Sequence, residues 1–167
     1  MNAVRIRAAG SADRAAVAAL LRGLSAESSY RRFQTGIGPE PGAAVLTALL
    51  PDRLRGGAVL AYAGRLVVGH GVWVRAGAAP VAEIGLVVAD AHQGRGIGTA
   101  MARALMGDLA ARGVERVEVF ASATNEAVVR MVTRQAPDAV RELDGATVTY
   151  SFPAPSSVSR RTVRPVA

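Results

Sequence analysis

A mixed α/β fold, with a mostly antiparallel sheet of about six or seven strands and helices on both faces, follows from three features of this sequence. Val- and Leu-rich segments at Ala58–Tyr62, Leu66–Val74 and Val81–Val88 succeed one another across turn signals at Ala63-Gly64 and Gly77–Pro80, as in an antiparallel meander. An Ala-, Met- and Leu-rich helical stretch then leads to another apolar strand at Glu115–Ala121, the proportions of a βαβ crossover with its two strands parallel. Near the end, Asp144-Gly145 is a two-residue hairpin signal between Ala139–Leu143 and Thr147–Phe152.

The remaining elements follow in order. Val4–Ala8 reads as a short strand. Ser11 is placed to cap a helix over Ala12–Leu24, with Asp13 in its first turn and Ala16, Leu20 and Leu24 at four-residue spacing on one face. Ser25 is placed to cap a second helix, Ala26–Phe33, in which Tyr30 and Phe33 read as core packing. Gly36–Gly42, with Pro39 and Pro41, is a loop, and Ala43–Leu50 is helical up to Pro51. The crossover helix begins near Gly98-Thr99 and runs to about Arg112, with Ile97, Met101, Leu105 and Leu109 in one stripe and Gly113 after it. A further helix spans Asn125–Gln135 and must stop near Pro137. One domain is expected over residues 1–152, and a disordered Pro/Ser/Arg tail over 153–167.

Composition excludes several chemistries. The chain has 167 residues and no Cys, so it carries no thiol nucleophile, disulfide or thiolate metal site. It has no Lys, since all 20 basic residues are Arg, which removes Schiff-base chemistry and the P-loop lysine. The two His, at 70 and 92, are too few for a three-His metal site, and no metal is expected. The net charge of +7 raises a nucleic-acid partner, but Arg160, Arg161 and Arg164 sit in the tail and the other Arg are scattered, so the charge alone does not favour one. No apolar run reaches the roughly 18 residues of a membrane span. The opening Met-Asn-Ala-Val-Arg-Ile-Arg also lacks the apolar region of a signal peptide, so a cytoplasmic protein with no membrane partner is expected.

The stretch Val87-Val88-Ala89-Asp90-Ala91-His92-Gln93-Gly94-Arg95-Gly96-Ile97-Gly98 carries the chemistry. A strand runs into alternate glycines and then into a helix start, which aims bare backbone N–H groups at a phosphate. The G-x-G-x-G spacing and mid-chain position do not fit a dinucleotide fingerprint, and the missing Lys excludes a Walker loop. A glycine-rich turn without a ligand remains the plain alternative.

Gln93-Gly94-Arg95-Gly96-Ile97-Gly98 resembles the Q/R-x-x-G-x-G/A signature of the GNAT acetyltransferases, between strand and helix as in that family, and the likeness of element order extends over about residues 3–152. The resemblance implies a GNAT fold and acetyl-CoA, or another acyl-CoA, as co-substrate. It implies that the amides of Gly94, Arg95, Gly96, Ile97, Gly98 and Thr99 hold the pyrophosphate, with Gln93 opening the motif. It also implies that the pantetheine pairs with Leu86, Val87 and Val88, whose amides near Val87 and Val88 would polarise the thioester carbonyl. Arg95 either adds a charge to phosphate or is a solvated loop residue. Asn125 is explained by helix capping and, by resemblance, also contacts the cofactor arm.

Glu83 is the candidate acid–base residue. It shares a strand face with Val81, Gly85 and Val87, and a carboxylate on an apolar strand costs free energy unless it is paired or used. Partly buried, it would be ready to take a proton from an amine; the alternative is an ion pair with a structural Arg. By resemblance it deprotonates a primary amine that attacks the thioester directly, without an acyl-enzyme. The Tyr that many relatives carry seven residues after the Asn is replaced by Val132, and Ala136-Pro137 stands where their helix ends in Gly-Phe. Those departures motivate a second reading, a non-catalytic acyl-CoA-binding domain on a degenerate scaffold. The segment Leu24–Phe33, "LSAESSYRRF", resembles bacterial Pat-type protein lysine acetyltransferases and points to a protein lysine as one acceptor. His70 and His92 read as meander and loop residues, Trp73 as core or cleft rim, and a homodimer is left open.

Overall fold

Residues 3–156 are described by a computed structural model. The chain order is β1 (Val4–Ala9), α1 (Arg14–Arg22), α2 (Ala26–Phe33), α3 (Ala43–Leu49), β2 (Gly56–Ala63), β3 (Leu66–Arg75), β4 (Val81–Val88), α4 (Ile97–Ala111), β5 (Arg116–Ser122), α5 (Glu126–Gln135), β6 (Val140–Asp144) and β7 (Thr147–Pro153). The seven strands form one sheet in the order β1-β2-β3-β4-β5-β7-β6. Every neighbouring pair is antiparallel except β4 and β5, joined in parallel by the α4 crossover. The expected meander and terminal hairpin are both present.

The stripe of Met101, Leu105 and Leu109 on α4 is fully buried against Trp73, Ala82, Ile84 and Val117 on one face of the sheet. On the other face, Val17 and Leu21 of α1 and Leu46 and Leu49 of α3 pack on Ala58, Leu60 and Val72. A smaller cluster of Ala121, Val132, Val148 and Tyr150 lies under α5. Strand alternation therefore sorts β4: Ala82, Ile84 and Leu86 face α4, while Glu83, Gly85 and Val87 face the α1–α3 side.

Trp73 is fully buried, so its indole N–H needs a partner. Asp108 supplies it, accepting from Trp73 Nε1 at 2.7 Å and from Arg112 Nε and Nη2 at 3.1 and 2.7 Å. Gly57 leaves the room, since a Cβ there would lie 2.4 Å from Asp108 Oδ2. Asp108→Ala strands the indole N–H and is expected to lower stability by about 2 kcal/mol. Asp108→Asn, which keeps an acceptor, should cost less; urea unfolding of both variants measures the difference.

Several expectations are corrected. Ser11 does not cap a helix over Ala12–Leu24. A 3-10 turn covers Ser11–Asp13 and α1 starts only at Arg14, because the Asp13 carboxylate accepts the Gly10 N–H at 2.9 Å and pairs with Arg7. Tyr30 is 57% exposed rather than core. It lies roughly 200° around the helix from Ser28, the buried position of α2. Pro153 closes β7 and the Ala154 N–H bonds Glu115 O at 2.8 Å, so these two residues belong to the sheet rather than to the expected tail. The expected disorder beyond residue 156 falls outside the described residues.

Candidate active site

Strands β4 and β5 part early. Their pairing covers only Val81–Ile84 against Arg116–Val119. Beyond it β5 stays paired with β7 as far as Ser122, while β4 continues to Val88 with its β5 side open. The divergence thus begins at Gly85, because β7 holds β5 along a different line. Val81 O accepts from Ala76 N, and the Ala89 N–H bonds Val68 O, so odd-numbered residues of β4 turn their backbone to β3. By alternation, Leu86 and Val88 present N–H and C=O to the gap, and Val87 does not. Val88 O already accepts from Gln93 Nε2 at 3.0 Å.

The gap opens into a cleft of about 1770 Å3. That exceeds the roughly 300–1,000 Å3 of ordinary small-ligand pockets, so a long ligand fits. Its wall includes Glu83, Gly85 to Val88, Gln93, Gly94, Gly96 to Thr99 and Asn125. All the residues expected at the site therefore line one cleft except Arg95, which is exposed on the loop and stands outside the lining.

Gly94 and Gly96 adopt φ of 72° and 79°, and no atom lies within 4 Å of where a Cβ would stand on either. The left-handed backbone explains why glycine occupies both positions. Gly96 is the N-cap of α4, and no side chain caps that helix. The first N–H groups of a helix have no intrahelical partner, so the start of α4 offers bare donors and a partial positive charge at the cleft. Ile97 anchors the turn by burying its side chain in the core. At Gly98 a Cβ would come within 3.2 Å of Met131 Cε, so α5 closes in there. These features fit an acyl-CoA pyrophosphate and pantetheine.

Helix α2 is wired to this loop. Ser25 caps α2 by accepting the Ser28 N–H, and its own N–H and hydroxyl donate to Asp90 at 3.0 and 2.7 Å. The Ser28 hydroxyl donates to Asp90 Oδ1 at 2.8 Å and accepts from Gln93 Nε2 at 3.1 Å. Donation from Ser25, then Ser28, holds the Asp90 carboxyl below the usual carboxylate range. The Gln93 side chain thus braces the loop between α2 and β4.

Glu83 is exposed on the cleft wall, not partly buried as expected, because α2 lies over Gly85 rather than over Glu83. Its register partner on β5 is Glu118, so two carboxylates stand side by side on one sheet face. No Arg nitrogen lies within 4.0 Å of a Glu83 carboxylate oxygen among the described residues, although the Glu83 charge acts on Arg32. Asn125 caps α5, its Oδ1 accepting the Val128 N–H at 3.4 Å, while also lining the cleft. Val132, in the position of the absent Tyr, is packed into the cluster under α5. Trp73 is core, not rim. His70 is fully buried, with Nε2 against Leu49 O at 2.8 Å, and desolvation pushes its pKa down to about 4.

Sequence reasoning missed Arg32, Arg103 and the Ser28–Asp90 link. Arg103 lines the cleft one turn beyond Thr99, and its i+4 spacing on the α4 pattern is a signal that was there to find. Arg32 gave no such signal; only the packing of α2 on β4 brings it to the cleft.

The same architecture recurs in solved acetyltransferases. The GNAT domain of S. lividans PAT is 22% identical, with a TM-score of 0.80 over 90% of each chain. The yncA structure from Salmonella typhimurium, solved with its cofactor acetyl-CoA, is 15% identical, with a TM-score of 0.70 over 97% of this chain and 100% of that one. A cAMP-binding acyltransferase from Mycobacterium smegmatis is 25% identical with a TM-score of 0.62, the match covering 97% of this chain but 47% of that one. No curated protein matches the chain. The acetyltransferase (GNAT) family model matches residues 24–136, and the chain belongs to that family.

Proposed function

We propose that this protein is an N-acyltransferase that moves an acetyl group from acetyl-CoA to a primary amine by direct attack in a ternary complex. The observation that carries the reading is the open edge of β4, which leads from the Glu83 carboxylate to the uncapped start of α4 within one cleft. When bound, acetyl-CoA supplies an activated thioester carbonyl. The amides from Gly94 to Thr99 hold its pyrophosphate, with Arg103 as a further cation on the same helix face. Leu86 and Val88 pair with the pantetheine in the manner of an added strand, and their N–H groups are the donors for carbonyl polarisation. Asn125 contacts the same arm beside its capping role.

Glu83 takes the proton from the ammonium, directly or through water, since only the free amine is nucleophilic. With Val132 in the usual acid position, solvent in the open cleft supplies the proton to the leaving thiolate. A thiolate is a mild base near neutrality, so this step needs no strong acid. The Leu24–Phe33 resemblance makes a protein lysine one acceptor to include in the assay.

CoA release with a panel of amines and proteins tests the reading. Turnover requiring both partners is expected; tight acetyl-CoA binding without turnover on any acceptor would overturn it in favour of the binding-domain reading. The loop has its own test. Gly96→Val forces a β-branched residue into the left-handed region and is expected to weaken acetyl-CoA binding about tenfold by calorimetry.

A further inference from the structure

Arg32 comes off the last turn of α2 and lays its guanidinium on β4. A Cβ at Gly85 would be 2.6 Å from Arg32 Cζ, 2.7 Å from Nη2 and 2.8 Å from Nη1. Three atoms at nearly equal distance mean that the guanidinium lies face-on over the Gly85 Cα, and any larger residue there would expel it. The Phe33 ring packs 5.0 Å from the guanidinium carbon. Arg32 Nε is enclosed and has no hydrogen-bond partner among the described residues. Arg32 is also absent from the ion pairs among those residues. Burial lowers its pKa to about 10, offset in part by the field of Glu83, so it stays cationic at neutral pH. His70, on the same sheet face through its register with Val87, is neutral there and adds no repelling positive charge.

Arg32 is only partly exposed, and an enclosed cationic N–H without a partner is costly, so an anion that completes the guanidinium is favoured. Arg32 lines the cleft at the point where β4 leaves β5. Glu83 stands two residues away on the same strand face, roughly 7 Å along β4. The cleft therefore presents an anion and a cation side by side. The planar fork of Arg32 matches a carboxylate bidentately.

We propose that Arg32 binds a carboxylate of the substrate, so that the preferred substrate pair carries a carboxylate close to the reacting amine or on the transferred acyl group. This rests on the N-acyltransferase reading. The first source is an amino carboxylate acceptor, whose ammonium meets Glu83 while its carboxylate meets Arg32. The second is a dicarboxylic acyl-CoA such as succinyl-CoA.

Matched pairs separate the sources. One arm compares amino acids with their carboxamides, using acetyl-CoA; the other compares succinyl-CoA with butyryl-CoA on one fixed amine. In one arm the wild-type protein is expected to favour the carboxylate member at least about tenfold in kcat/KM, mainly through KM. Arg32→Met should erase that preference while keeping acetyl-CoA affinity and cooperative unfolding, and Arg32→Lys should restore part of it. No preference in either arm, or one that survives Arg32→Met, overturns the proposal.

A second measurement needs no turnover. Calorimetric binding of an N-acetyl amino acid and its amide, and of succinyl-CoA and butyryl-CoA, should show the same carboxylate dependence and the same loss in Arg32→Met. Carboxylate-selective binding without any transfer would sustain the Arg32 site and remove the enzyme reading. Transfer without carboxylate selectivity would do the reverse.

Discussion

Glu83→Gln is expected to lower kcat/KM for the amine acceptor by between about 10²- and 10⁴-fold at neutral pH, the usual range for loss of a positioned general base. The change keeps the side-chain volume and faces an open cleft, so stability and acetyl-CoA affinity should hold. The pH profile is the decisive reading. A primary amine is mostly protonated below its pKa, about 10.4 for a lysine side chain, so without a base the rate should climb about tenfold per pH unit as free amine accumulates. Activity of Glu83→Gln close to wild type at pH 7 would move proton removal to Glu118, its neighbour in register, or to bulk water. Glu118→Gln, measured alongside, separates those two.

Between about pH 6.5 and pH 4 the protein is expected to lose about 3 kcal/mol of stability through His70 alone. Its folded-state pKa, about 4, lies below its ordinary value of 6.5 because the ring is desolvated. The charge of Arg32 pushes the same way, while the Leu49 carbonyl partly opposes both. In that window the unfolded chain binds a proton that the folded chain does not, so stability falls as pH falls. Above about 6.5 the contribution is complete, and below about 4 both states are protonated and the loss stops. Asp13 and Asp90 have lowered pKa values, so their contributions are present above the ordinary carboxylate value and vanish below it, in a separate and more acidic window. Urea unfolding at several pH values measures the slope. His70→Gln, neutral and still able to donate to Leu49 O, should flatten the window from 6.5 to 4. An unchanged slope in that variant would assign the acid lability elsewhere.

The elements of the fold were legible where a side-chain period was strong. Strand β4 has its expected bounds, Val81–Val88, because an apolar run beside two equally apolar strands leaves no competing pattern. Helix α4 was legible from Ile97, Met101, Leu105 and Leu109, all of which are buried. The first helix was less so. Ser11 has the right chemistry for a cap, but the Asp13 carboxylate, tied to Arg7 from a neighbouring strand, takes the Gly10 N–H instead. Tyr30 misled for a related reason, since aromatic habit says nothing about which side of a short helix meets the sheet.

The site divides in the same way. Gly94, Gly96 and Gly98 announced their loop because left-handed backbone and close approach restrict residue choice locally, and that restriction is written into the sequence. Glu83 stood out as a carboxylate on an apolar strand. The sequence by itself thus determined the order of elements, the glycine loop at the start of α4 and the strand that carries the carboxylate. Only the tertiary structure decided where β4 and β5 part, that Gln93 is braced by Ser28 and Asp90, and that Arg32 lies on Gly85 beside Glu83. Those arrangements join residues as many as 65 positions apart, as in the Ser25–Asp90 bond. They depend on how helices seat on the sheet, which no local period encodes.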